Sequence, residues 1–245
     1  FIIFVLFNSH TMQIELCAAS IEAIYLAKSL HFDRIELCQN LDQGGLTPSA
    51  GFIQLALDLG LETHVLIRPR AGGFVYSEAE IQVMEREIEF CSSVGVKGVV
   101  LGVLTADLRI DMEQLQRLKK ASKNMEVTFH RAFDDSFDWK NSIDVLLSCG
   151  IDRVLTSGMS SNIENGIPIL EKIMTYVDSR IEIMVGGGVN LANAQKIISQ
   201  VKPNAIHFSG TVKTLLDADS VFSETILQVD PTRIEKLRAL CEQGK

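Results

Sequence analysis

The stretches Ile14-Glu15-Leu16-Cys17 and Ile35-Glu36-Leu37-Cys38 decide the fold, because each alternates an apolar residue with a polar or small one. Successive side chains of a strand point to opposite faces. Ile14 and Leu16 therefore share one face and Glu15 and Cys17 the other, and Ile35 and Leu37 oppose Glu36 and Cys38 in the same sense. The alternation returns downstream. Val65 and Ile67 oppose His64, Leu66 and Arg68; Val127 and Phe129 oppose Thr128 and His130; Ile206 and Phe208 oppose His207 and Ser209.

Eight such runs begin near Gln13, Arg34, Glu62, Gly98, Glu126, Arg153, Ile181 and Ala205, a repeat of roughly 27 residues, as a (β/α)8 barrel requires. The segments between them carry helical spacing, as in Ile81, Met84, Ile88 and Cys91, or in Ile163, Ile167, Leu170, Met174 and Val177. Ser77 with Glu80 reads as a capping box. Thr47-Pro48 reads as an N-cap with proline at the first helical position, and Asp230-Pro231 repeats that device before Ile234, Leu237 and Cys241. The expected class is α/β, a (β/α)8 TIM-type barrel in a single domain. A doubly wound open sheet gives no reason for eight similar units or for a closing helix after the eighth strand.

With 245 residues, 47% of them hydrophobic, the chain can bury one large core. Its net charge of −8 argues against nucleic acid as a partner, since phosphate binding needs clustered Lys and Arg. Five cysteines lie far apart with no C-x-x-C pair, which points to reduced thiols and a cytoplasmic location rather than a disulfide framework. The apolar run Phe1 to Phe7 has no basic flank and no cleavage site and is too short to cross a bilayer, so no membrane association is expected. Residues 1–11 read as an extension outside the fold and 12–245 as the barrel.

The apolar strand faces must turn toward the helices, because the layer between barrel and helices is the larger core; the other faces then line the axis. That directs Glu15, Glu36, His64, Arg68, His130, Glu182 and His207 inward, where a barrel without a task would place Val, Ile and Leu. An unpaired buried ion costs several kcal/mol, so these groups pair with one another or hold a ligand. Two glycine loops follow the last strands: Gly186-Gly187-Gly188-Val189-Asn190, where Asn190 is placed to cap the next helix, and Ser209-Gly210-Thr211. Loops at these positions commonly form a phosphate site with a helix N-terminus.

At these motifs the chain resembles the CutC family of copper homeostasis proteins. The resemblance rests on Arg34 to Cys38, Gly44 to Ser49, Ile67 to Arg70 running on to Phe74 and Tyr76-Ser77, Thr128 to Asp134, Arg153 to Gly158 and the Gly186 loop, in unbroken order from Met12 to near the C-terminus. Two positions depart from the family: Gly73 and Thr105 stand where acidic residues are usual. The resemblance implies a barrel of this type, assembly as a homo-oligomer (dimer or tetramer), and cytosolic copper handling. It also implies metal binding as Cu(I) by the cysteines ending strands one and two, Cys17 and Cys38. Two thiolates on adjacent strands suit a soft ion, although the stagger of barrel layers is expected to hold the sulfurs apart. Cys91, Cys149 and Cys241 read as helix packing.

The residues support an enzyme as well, one of isomerase, lyase or hydrolase type acting on a small phosphorylated or otherwise anionic substrate at the mouth. The candidate catalytic set is Glu15, Glu36, His64, Arg68, His130 and His207. The candidate anion-binding set is Arg70, Arg131, Ser157, Gly187, Gly188, Ser209 and Gly210. No lysine ends strand six, which speaks against Schiff-base chemistry there. A pure oligomeric scaffold leaves the polar interior without a purpose.

Overall fold

All eight alternating runs form strands, each paired in parallel with the next, and the eighth returns to pair with the first to close the barrel. The computed structural model describes residues 11–245 apart from 217, 218, 220 and 222, so the extension assigned to 1–11 lies outside the described residues except for Thr11. The strands are β1 (Gln13–Ala18), β2 (Arg34–Leu37), β3 (Thr63–Leu66), β4 (Gly98–Leu101), β5 (Glu126–Phe129), β6 (Arg153–Thr156), β7 (Glu182–Val185) and β8 (Ala205–Phe208). The helices that cover them are α1 (Ile21–Ser29), α2 (Ala50–Asp58), α3 (Glu78–Val94), α4 (Met112–Ala121), α5 (Trp139–Ser148), α6 (Ile163–Val177), α7 (Ala194–Val201) and α8 (Pro231–Gln243). Among the described residues no helix is long and apolar enough to cross a membrane.

The division of the core follows strand parity. Ile14, Leu16, Ile35, Leu37, Val65, Val127, Phe129, Ile206 and Phe208 belong to one large cluster that also contains the buried faces of the helices. Inside the barrel lie two small, separate apolar groups, Cys17 with Cys38, Leu66 and Val100, and Leu155 with Met184 and Ala205. Everything else facing the axis is polar or glycine. On β4 a Cβ at Gly98 would stand 2.5 Å from the His64 ring, and just past its end one at Gly102 would stand 2.5 Å from the His130 ring. These glycines make the room that two buried imidazoles need.

The capping box at Ser77 and Glu80 forms, and Asp230 caps α8 ahead of Pro231. Thr47 does not cap a helix. Its N–H donates to the Arg68 carbonyl at 3.1 Å and its hydroxyl to Glu87 at 2.9 Å, so the chain is still extended there and α2 starts after Ser49 instead. Asn190 likewise caps only the turn before α7, accepting from the Ala192 N–H at 2.9 Å. A second difference follows β8. Residues Thr211–Leu216 and Glu224–Val229 form an antiparallel hairpin, β9 and β10, between the barrel and α8.

The amino-terminal end of the barrel is closed by ions. Arg34, 1% exposed, donates to Glu15, Gln13 and Glu182. Arg153 reaches Glu182 at 2.7 Å, Thr128 at 3.0 Å and Glu126 at 3.2 Å. Removing one partner of such a network leaves a buried charge without compensation. Arg34→Met should therefore lose about 3–5 kcal/mol of unfolding free energy. Urea titration at neutral pH measures it, and a loss below about 1 kcal/mol would show that these ions do not hold the floor.

Candidate functional site

A cavity of about 390 Å³ opens at the carboxyl ends of the strands. Its floor is formed by Cys17, Glu36, Leu66, Leu155 and His207, and its walls by Arg68, Phe74, His130, Arg131 and the Gly187, Gly188 and Ser209 backbone. The polar residues expected inward are inward, but they divide into two levels rather than one.

Glu15 joins the levels. One carboxylate oxygen pairs with Arg34 below, and the other lies 2.7 Å from His207 Nδ1 above. Burial opposes its charge, yet Arg34 and the His207 hydrogen bond hold the carboxyl well below its usual range. His207 is buried too, which alone would lower its pKa. The charge of Glu36 and the bond to Glu15 instead raise it well above the ordinary imidazole value. Glu36 behaves oppositely: burial pushes its carboxyl up to about 7 against the pull of His207. Its Oε1 faces Cys17 Sγ at 3.8 Å and its Oε2 has no partner among the described residues.

Cys17 and Cys38 lie with their sulfurs 3.7 Å apart, so the stagger of the layers does not separate them. Both are free thiols, and the bond to Cys38 together with burial pushes the Cys17 thiol well above its ordinary pKa. The two sulfurs and a Glu36 oxygen all lie within 4.8 Å of one another. An ion about 2.3 Å from each sulfur would subtend an angle of roughly 110°, an ordinary thiolate geometry. These residues fit a soft cation by donor type and spacing.

Arg68 is 6% exposed and carries its charge without a carboxylate partner among the described residues. Its Nη1 donates to the Gln43 and Gly45 carbonyls at 2.8 Å, its Nη2 donates to Gly72 at 2.7 Å, and its Nε donates to nothing. Phe74 lies 5.3 Å from the guanidinium and 4.8 Å from the His130 ring, so it stacks over both. His130 Nδ1 accepts the Ala132 N–H at 3.1 Å, which fixes the neutral ring's proton on Nε2, and that atom too has no partner. Burial first, and then the Arg68 charge, lower the His130 pKa to about 3.

Several expected site residues lie elsewhere. His64 sits in the lower level, 3.8 Å from Glu126, and Glu182 belongs to the floor network; neither lines the cavity. Arg70 points away, tied to Glu80 and to the Ala71, Gly73 and Val75 carbonyls, so it shapes its own loop. Ser157 is already occupied. The Asp134 carboxylate accepts from its N–H at 3.1 Å, from its hydroxyl at 2.8 Å and from the Met159 N–H at 3.1 Å, filling with an internal anion the place an external one would take. Gly210 serves packing, since a Cβ there would come 2.3 Å from Ile234. After Gly210 the strand β9 follows at once, and α7 begins only at Ala194, so neither glycine loop runs directly into a helix. Gly187 and Gly188 do line the cavity. Gly187, at φ +86°, lets the Arg131 guanidinium lie within 2.7 Å of where its Cβ would be. Arg131 bonds Asp134 and Ser157. Thr105 lies in an exposed turn bonded to Asp107, and the backbone at Gly73 faces open space.

Arg34, Arg153, Asp134 and Phe74 stand in the motifs that carry the resemblance, but reading the sequence assigned none of them a role in the site. The first two share inward parity with Glu36 and Leu155, a signal that was present; the other two depend on loops that only the closed barrel brings together.

The model of the CutC family matches residues 12–212. A CutC family protein of Glaesserella parasuis is 42% identical over 212 residues, covering 85% of this chain and 87% of its own length. One of Bacteroides thetaiotaomicron is 42% identical over 199 residues, covering 80% of each. Among solved structures, the chain is similar to CutC of Streptococcus agalactiae, a proposed copper homeostasis protein, with TM-score 0.76 and 36% identity over 80% of this chain and 97% of that one. Phosphoribosylanthranilate isomerase from Pyrococcus furiosus, at TM-score 0.55 and 15% identity over 95% of this chain and 99% of that one, shares the fold.

The neutral state of His130 has a consequence for stability. An unfolded histidine takes up its proton near pH 6.5, whereas the folded one does so only near 3, so stability is lost as the pH falls through that window. His130→Phe removes this loss. Urea titrations at about pH 6 and pH 5 should show the variant's unfolding free energy falling less than the parent's, by about 1 kcal/mol. Parallel slopes would mean that His130 charges freely within the fold.

Proposed function

The chain belongs to the CutC family, and from that premise we propose that the mouth of its barrel is an active site for a small organic anion. The observation that carries the reading is the Arg68 guanidinium, buried in the cavity wall with its charge unmatched and its Nε unpartnered. An ion so placed is costly unless an opposite charge arrives. Arg68, His130 and Glu36 line one cavity of about 390 Å³, a size suited to a metabolite, and each keeps an unpartnered polar atom, a donor on His130 Nε2 and an acceptor on Glu36 Oε2. The ligand that complements them has an anionic group for the guanidinium, an oxygen for the imidazole N–H and a region that the carboxylate can approach. Calorimetric titration with inorganic phosphate, pyruvate and dihydroxyacetone phosphate tests this. At least one should bind, and Arg68→Met or His130→Phe should weaken it about 10- to 100-fold, as expected for a charge-assisted hydrogen bond. Absence of binding by all three to folded protein would overturn the reading.

A second reading, binding of Cu(I) by Cys17 and Cys38, is favoured by the 3.7 Å separation of the sulfurs. Paired thiols select soft cations, and Glu36 stands ready as a third donor. The description of the similar Streptococcus agalactiae protein as a proposed copper homeostasis protein is compatible with it. Reduced protein should then take up one Cu(I) in competition with a chromogenic chelator. Cys17→Ser and Cys38→Ser should each lose that uptake, and retention of it in both variants would exclude the pair as the site.

A further inference from the structure

We infer that the chemistry at the mouth is removal of a proton from carbon next to a carbonyl group, with Glu36 taking the proton and His130 holding the carbonyl oxygen. This rests on the reading of the mouth as a site for an organic anion and adds to it the class of reaction and the part of each residue.

His130 lines the cavity, and its Nδ1 is occupied by the Ala132 N–H, so the ring proton sits on Nε2, an enclosed atom with no partner among the described residues. With its pKa near 3, it gives up no proton as an acid and takes none as a base near neutral pH. What such a ring does well is donate a hydrogen bond, and that bond strengthens most when the acceptor oxygen gains negative charge during the reaction. A carbonyl oxygen becoming an enolate gains that charge. Gly102 supports the arrangement, since any side chain there would displace the ring.

A base is then required. Glu36 is the one carboxylate in the cavity wall among the described residues, and its Oε2 is unpartnered. His207, also on the floor, is committed through Nδ1 to Glu15. Arg68 completes the set by holding the substrate's anionic group, and Phe74 covers both Arg68 and His130.

In the step, the C–H bond beside the carbonyl breaks and its proton passes to Glu36 Oε2. The electron pair forms a carbon–carbon double bond while the carbonyl oxygen becomes an enolate oxygen on His130 Nε2–H. Return of the proton to the same carbon regenerates the substrate. In a hydroxycarbonyl compound, its return to the former carbonyl carbon, with the proton of the neighbouring hydroxyl passing to the enolate oxygen, completes an isomerisation. No oxidant, reductant or cofactor enters.

The test is hydrogen exchange into substrate. Folded protein is incubated in deuterium oxide with pyruvate and, separately, with dihydroxyacetone phosphate, and loss of the C–H signal is followed by proton NMR. At least one compound should exchange faster with protein than without. Glu36→Gln should slow that exchange at least about 100-fold while still binding the compound, as loss of a general base requires. His130→Phe should slow it about 100- to 1000-fold, as loss of an oxyanion donor requires. Either variant suffices if the other fails to fold. Binding without exchange would overturn this inference and leave the anion site standing. Absence of binding would remove both, and exchange undiminished in Glu36→Gln would overturn the assignment of the base.

Discussion

The buried carboxylate of Glu15 is the interaction on which the interior of this barrel depends. It is fully enclosed and it is charged, a combination tolerated only because Arg34 meets one oxygen and His207 the other. Through it the ions that close the amino-terminal end are joined to the groups that form the mouth. Arg34 is shared with Glu182, Glu182 with Arg153, and Arg153 with Glu126. The floor is thus a network in which each acid has a guanidinium. The mouth differs in its charges: His207 is satisfied from below, while Arg68 has no carboxylate partner among the described residues, and unpartnered atoms on Arg68, His130 and Glu36 belong to residues that line a cavity, as those of His64 and Arg153 do not.

That contrast locates the chemistry better than a count of ionisable groups does. Polar residues inside a barrel do not by themselves make a site, because at the lower level each carboxylate is paired with a guanidinium. His64 shows the intermediate case. Both ring nitrogens lack partners and burial lowers its pKa to about 4, so it stays neutral in a pocket made by Gly98 with no cavity to serve. His130, one level higher on β5's continuation, has the same neutrality but faces an open space beside an unmatched cation.

How much of this was legible in the sequence follows from the range of the interactions. Strand parity is local, and reading Ile14 against Glu15 or Ile35 against Glu36 gave the strands, the inward set and the closed topology. The inward glutamates and histidines were likewise legible, but their height along the axis was not, because height depends on the shear of the closed barrel. The same shear brings Cys17 and Cys38 to 3.7 Å, against the expectation that it would part them. The glycine loops after β7 and β8 suggested a phosphate cup. The strand β9 follows Gly210 in place of a helix that would complete it, and Asp134 fills the neighbouring loop after β6. Neither fact has a local signature: one turns on which of two elements follows Gly210, the other on loops distant in the chain.

Glu36 is where the two readings of the mouth meet. Its Oε1 lies toward the thiol of Cys17, its side chain lines the cavity, and it belongs to both groups of residues able to surround a cation, one with Cys17 and Cys38, the other with Glu15 and His207. A cation drawn to the thiolates would attract this carboxylate and lower its readiness to accept a proton from a substrate. An anionic substrate held by Arg68 would in turn leave the carboxylate between an unfavourable charge and the proton it is placed to receive. The two occupants therefore make opposed demands on a single side chain, and by linkage each alters the affinity for the other by the same factor. Cys17 and Cys38 lie just below the substrate space, too near Glu36 for the two chemistries to be independent.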